Sequence, residues 1–379
     1  MGTLSRRVPR ALHPGAWWLW ALGLATAATR TTNPLLLALI IGVAACVVAA
    51  RRGDAPWALG FRLYLWLGAI IVLSRVVFRI VFGGGQGDHV LFILPEIPLP
   101  ELAAGIRLFG PVAVEQVLGG VYDGLRLATM VICLGAANAL ANPKRLLRAV
   151  PAALYEVGTA VVVALSVAPQ LVESVLRVRR ARRLRGARGG GPRALRGIVI
   201  PVLADALDRS LALAAAMDSR GYGRRGRQSA AVHTLTGLLV VGGLCGVCVG
   251  VYGLLDASTP RYLGLPMLAT GVLVAAAGLT VGGRRVLRTV YRPDRFGWPE
   301  ALVAACGIAA AAGLYLTTRV EPGNLYPSLS PLAWPQFAVL PAAAILTGLL
   351  PAWLAPPPPD ETDPAAAAVA ATPEEPALR

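Results

Sequence analysis

Lysine is almost absent from this chain. Lys144 is the only one among 379 residues. A nucleotide-binding P-loop needs a lysine after glycine and before serine or threonine, so that its ammonium reaches the phosphates cradled by the loop backbone. Lys144 stands between Pro143 and Arg145, so the chain carries no standard site of that kind, and any ATP-driven step requires another polypeptide. Charge is scarce too: 15% of residues are charged, where a soluble chain carries about a quarter. The three histidines, His13, His89 and His233, lie far apart and each reads as an interfacial residue rather than a metal ligand. The five cysteines (Cys46, Cys133, Cys245, Cys248 and Cys306) all fall inside apolar segments. Cys245 and Cys248 have the spacing of a redox or metal pair, but no second ligand pair and no βαβ context accompanies them; they read as small helix-packing residues. Repeated stretches of alternating polarity are also missing, which argues against a membrane β-barrel.

What is present is apolar length. Hydrophobic residues make up 56% of the chain, and several segments stay apolar for roughly 20 residues, enough to cross a bilayer core as a helix. The expected fold is an all-α polytopic membrane protein with about eight transmembrane helices. Four spans are expected at 16–29, 34–50, 61–82 and 116–139, and four more at 231–254, 263–282, 300–318 and 333–353. Trp17, Trp18 and Trp20 suit a membrane interface at the first span. Pro34 ends that span, because proline disfavours helix in the residue before it. Residues 83–113, with Pro95, Pro98, Pro100 and Pro111, read as irregular. The segment 153–176 is apolar enough to span but is basic on both flanks, so it is expected to lie along the membrane or dip into it from the cytoplasmic side.

The net charge of +16 resembles a nucleic-acid signal, but the arginines cluster in loops between apolar segments. That is the positive-inside pattern, and no nucleic-acid partner is expected. With the N-terminus inside and eight crossings, every arginine-rich loop and both termini fall on the cytoplasmic side. The linear sections are residues 1–140 (four membrane helices), 141–230 (a cytoplasmic or interfacial region), 231–355 (four more helices) and 356–379, a Pro-, Ala- and acid-rich tail expected to be disordered.

The densest charge lies between Arg177 and Arg227, and two of its runs end in Arg-Gly. From Pro192 to Arg220 the apolar residues Val199, Val202, Leu203, Leu207, Leu213 and Met217 recur at helical spacing. Gly221 and Gly223 then stop the helix, leaving Arg220 at its tip after Ser219. Gly186 follows Arg185 in the same way at the end of the preceding run. A guanidinium at a helix tip suits insertion into an acidic groove of a partner, where its planar fork forms paired hydrogen bonds to a carboxylate. The remaining arginines, such as Arg177, Arg179, Arg180, Arg193 and Arg196, read as topology determinants that bind anionic headgroups at roughly 1 kcal/mol each.

These residues resemble the transmembrane component of energy-coupling factor (ECF) transporters, the EcfT/CbiQ family. The resemblance is carried by Ala216-Met217-Asp218-Ser219-Arg220-Gly221-Tyr222-Gly223, close to the family's second Ala-Arg-Gly-type motif, by His13-Pro14 and Thr31-Thr32-Asn33-Pro34, and by Tyr291-Arg292-Pro293-Asp294. It covers about residues 10–300. The second motif departs from the family in reading Ser-Arg-Gly. The first is either Leu184-Arg185-Gly186 or Ala187-Arg188-Gly189. The resemblance implies a non-catalytic subunit in a bacterial inner or plasma membrane. It binds no cofactor itself. It docks two cytoplasmic ABC-type ATPases through Arg185, Gly186, Arg188, Ser219, Arg220 and Gly221, and holds a substrate-binding S-component for uptake of a vitamin or a transition-metal ion. Two other classes remain on the residues alone: an autonomous secondary transporter or membrane enzyme centred on Asp123 and Arg126, which could pair at one-turn spacing, and a structural membrane protein without transport.

Overall fold

The computed structural model describes residues 11–53, 60–82, 87–95, 97–98, 107–142, 145–146, 155–186, 192–221, 230–256, 259–283 and 296–357. Helices dominate, and seven of them, among the described residues, are long and apolar enough to cross a membrane. The chain divides into two compact units, residues 1–146 with 294–379, and residues 147–293.

In the first unit, α1 (Pro14–Thr29) and α2 (Pro34–Arg51) each begin with proline at a position whose N–H would have no partner in any case. His13 caps α1, its Nδ1 accepting from Gly15 N at 3.1 Å. After α3 (Phe61–Phe82) the expected irregular stretch contains two small antiparallel ladders. In these, β1 (Val90–Ile93) pairs with β4 (Pro111–Ala113), and β2 (Ile97–Pro98) with β3 (Arg107–Leu108). The helix α4 (Val114–Leu140) follows.

The carboxy-terminal helices join this unit: α9 (Trp298–Val320), α10 (Val339–Thr347) and α11 (Pro351–Leu354). The span expected at 333–353 is thus two short helical pieces. Pro331 and Pro335 keep the chain out of helix before Val339, and Pro351, with no N–H to donate, starts a new turn. At 16 residues α1 is also shorter than a full crossing.

The core is a seam of small and aromatic residues. Ala16, Trp20, Ala21, Leu24, Ala27 and Ala28 of α1 are completely buried, with Ala310 and Leu314 of α9. Lipid tails are as apolar as leucine, so membrane helices associate through close packing, which small residues permit. A Cβ added to Gly23 would lie 2.3 Å from the Gly307 carbonyl oxygen. Hydrogen bonds tie the α1–α2 corner to the same distant segment. Trp20 Nε1 donates to Gly348 O at 2.9 Å, and Thr31 Oγ1 to Leu325 O at 2.8 Å. At the far end of α2, Arg51 Nη2 donates to Ala352 O at 2.6 Å.

Asn33 does three tasks from a fully buried position. Its Oδ1 caps α2 by accepting from Leu35 N at 3.0 Å, and its Nδ2 donates to Asn324 O at 3.0 Å and Gln336 O at 2.8 Å. Asn33→Ala is expected to lose a cap and leave two carbonyls unpaired, at a cost of about 2–4 kcal/mol in all. Asn33→Asp keeps the cap but sets a buried carboxylate oxygen against the two carbonyls and should cost more than Asn33→Ala. Chemical unfolding in detergent orders the three proteins.

The second unit contains α5 (Tyr155–Leu184), α6 (Pro192–Ser219), α7 (Ala230–Leu255) and α8 (Leu265–Gly283). The stretch expected as a membrane-parallel helix over 153–176 continues without a break to Leu184, 30 residues in all, with Pro169 inside it. Residues 157–184 are one of the seven segments long and apolar enough to cross. Helices α7 and α8 form a hairpin along a glycine seam, where a Cβ on Gly243 would meet Ala275 N at 2.4 Å and one on Gly250 would meet Leu268 N at 2.4 Å. Cys245 and Cys248, read as packing residues, are exposed instead; the glycines make the seam because only they let the backbones approach so closely. The expected disordered tail beyond Pro357 lies outside the described residues.

Candidate functional site

The two Arg-Gly endings share a left-handed glycine directly behind the arginine. Helix α5 closes with Arg185 N donating to Ala181 O at 3.2 Å and Gly186 N to Arg183 O at 3.1 Å. Helix α6 closes with Arg220 N on Met217 O at 3.2 Å and Gly221 N on Asp218 O at 2.9 Å. Gly186 has φ +74° and Gly221 φ +77°, the left-handed turn that glycine permits at a helix end. Each arginine therefore caps its helix, and each chain path turns away directly behind it. Both side chains are exposed, and among the described residues neither has a hydrogen-bond or ion-pair partner. Ser219 is exposed beside Arg220, with its Oγ donating back to Ala216 O at 2.9 Å. Arg188, the alternative first-motif arginine, lies outside the described residues.

A Cβ on Gly186 would meet nothing within 4 Å, so Gly186→Ala carries backbone strain alone, about 1–2 kcal/mol. The expected result is faster amide hydrogen exchange in the last turn of α5, by roughly 5- to 30-fold, with no change in exchange in α1 or α2.

Helices α5 and α6 run antiparallel and touch through a polar cluster. Ser174 Oγ donates to Asp205 Oδ2 at 2.7 Å, Arg209 Nε to Asp205 Oδ1 at 3.2 Å, and Arg209 Nη1 reaches Gln170 Oε1 at 3.5 Å. The Ser174 hydroxyl, then Arg209, hold the Asp205 carboxyl below its ordinary pKa. Further along, the Arg182 guanidinium lies over Gly197. In this register Arg185 sits beside the start of α6, and Arg220 at its far end, on the order of 40 Å away at 1.5 Å per helical residue. The apolar face read from the α6 periodicity is not covered within the chain: Leu203, Leu207 and Leu211 are each about 60% exposed. The Asp205–Ser174 contact went unread in the sequence. Nothing local to Asp205 names a partner 31 residues away.

Asp123 and Arg126 do not pair with each other. Asp123 Oδ2 takes Arg79 Nη2 of α3 at 2.7 Å, both side chains being nearly half exposed, and Arg126 donates to the Thr29 carbonyl oxygen at the end of α1. The side chains of α4 are turned toward different neighbouring helices, so the one-turn pair gives way to two interhelical ties. His89 Nδ1 meets Glu115 Oε1 at 2.7 Å, and that contact raises the His89 pKa. His13 packs edge-on against Phe296 at 5.8 Å. The His233 side chain lies outside the description. Among the described residues no group of three or more His, Cys, Asp or Glu is placed to hold a metal ion.

Among the described residues, seven long apolar helices define a multi-pass membrane protein. The profile of the cobalt transport protein family CbiQ matches residues 5–230, more than half of the chain, and the protein belongs to that family. No curated protein sequence matches it. The matched range ends at Ala230, the first residue of α7, so Tyr291–Asp294, included in the resemblance read from the sequence, falls beyond it.

Proposed function

We propose that this chain is the coupling subunit of an ECF-type importer in a bacterial inner or plasma membrane, with both termini cytoplasmic. Arg185 and Arg220 each dock one ATPase of a pair, and closure of that pair on ATP moves α5 and α6. This motion reorients a substrate-binding S-component held by the membrane helices. The observation that carries the reading is the duplicated tip: two exposed arginines without partners among the described residues, each backed by a left-handed glycine, at opposite ends of one hairpin. Two like tips suit two like subunits. ATP hydrolysis belongs to the partners, in keeping with the single misplaced lysine. The family description names cobalt, which makes cobalt the first cargo to test, with a vitamin as the other class.

The test is affinity purification of the tagged protein in mild detergent beside an Arg185→Glu/Arg220→Glu variant. An ABC-type ATPase is expected with the wild type and absent from the variant. No ATPase with either protein, even after crosslinking, would overturn the proposal.

A further inference from the structure

Two tips can serve two ATPases only if their spacing is fixed, and little in the hairpin fixes it apart from the polar cluster. The cluster residues Gln170, Ser174, Asp205 and Arg209 share with Val163, Val167, Leu171 and Leu213 the wall of a cavity of about 200 Å³ between α5 and α6, so apolar packing there is loose. Among the described residues of the hairpin Val202 and Ser174 are buried, and Ser174, only 3% exposed, is the polar one. Its hydroxyl reaches one acceptor across the interface, Asp205 Oδ2 at 2.7 Å, while Arg209 holds the other carboxylate oxygen from the same helix. A slip of one residue would turn Asp205 about 100° away and break the hydrogen bond that the Ser174 hydroxyl makes across the interface.

We propose that Asp205 is a positioning residue that sets the spacing of the Arg185 and Arg220 tips by clasping α5 to α6 through Ser174; this rests on the docking reading. The clasp lies 11 residues before Arg185 and 15 before Arg220, about 16 and 22 Å along the two helices. A change of 10° at the clasp therefore moves either tip by about 3–4 Å, comparable to the length of the contacts the tips must make.

The experiment places spin labels at Ala181→Cys and Ala215→Cys, both exposed and outside the motifs, after the exposed Cys46, Cys245 and Cys248 are replaced by alanine. Pulsed dipolar spectroscopy on the purified full chain reads the distance between the labels. A single narrow distance of about 25–30 Å is expected with Asp205 intact. It should persist in Asp205→Asn, whose amide oxygen still accepts from Ser174, and at least double in width in Asp205→Ala and Ser174→Ala. The two alanine variants should also recover at least threefold less ATPase than the wild type, with Asp205→Asn restoring it. A broad distribution with Asp205 intact, equal widths throughout, or broadened widths with undiminished ATPase recovery would each overturn the proposal. Absence of ATPase from every preparation would instead sink the docking reading, and the widths would still decide whether the clasp exists.

Discussion

Arg220→Glu is expected to weaken capture of the ATPase by about 30-fold to several thousand-fold, the range that follows when truncation or reversal leaves a partner charge buried and unpaired, about 2–5 kcal/mol. Arg185→Glu should behave alike, because each tip has a left-handed glycine directly behind its arginine. On the docking reading the two tips act on one ATPase pair, so each raises the effective concentration of the other's groove. A single variant should therefore retain a weak, rapidly dissociating complex, and the double variant none. Surface-immobilised binding kinetics in detergent measure this directly. Both side chains are exposed, so the variants should unfold within about 0.5 kcal/mol of the wild type. Arg179→Glu is the control. Arg179 is exposed on the same helix but behind the tip. If positive charge alone held the partner, Arg179→Glu would weaken binding as much as Arg185→Glu. On the docking reading it changes binding by no more than about threefold, roughly the worth of an exposed charge.

Gly307→Val is expected to abolish recovery of monodisperse protein. A Cβ at position 307 would lie 2.5 Å from both the Cα and the carbonyl oxygen of Trp20. Backbone cannot swing aside as a side chain can, so α1 and α9 must separate along their whole seam. Overpacking of an ordinary core costs about 1–3 kcal/mol, and this case sits at or beyond the upper end because the obstacle is backbone. The matching change on α2 gives the contrast. Gly42 has open space where its Cβ would be, so Gly42→Ala should be neutral, or stabilise by up to about 1 kcal/mol through helix propensity. Size-exclusion profiles and thermal unfolding of the two proteins separate a packing effect from a general intolerance of glycine replacement in membrane helices.

Those two glycines show how much could be read in advance. The helix bounds were legible because apolar length and proline placement are local: α3 begins and ends where its apolar run does, and α2 starts at Pro34. The Arg-Gly tips were legible for the same reason, since a helix stop is written in the residue that must turn left-handed. Nothing local distinguishes Gly23 or Gly307 from Gly42. The difference lies in which helix comes alongside. The break of the final apolar stretch at Gly348 and Pro351 was not legible in its hydropathy, which suits one continuous helix. Asp123 and Arg126 were paired by spacing along one helix, whereas helices α3 and α1 supplied nearer partners.

The sequence by itself determined the class of the protein. Apolar runs of membrane length, with most arginines clustered between them, identify a multi-pass membrane protein, and the lone misplaced lysine excludes a standard P-loop. The tertiary structure alone decided which helices are neighbours. It joined residues 298–354, beyond the family match, to α1 and α2 through Trp20, Asn33 and Arg51. It also clasped α5 to α6 at Ser174 and Asp205. The physical reason is range. Periodicity, capping and charge placement act over a few residues and leave their mark in the local sequence. A hydrogen bond spanning 328 residues, as between Trp20 and Gly348, depends on close approach of backbones that no local composition specifies.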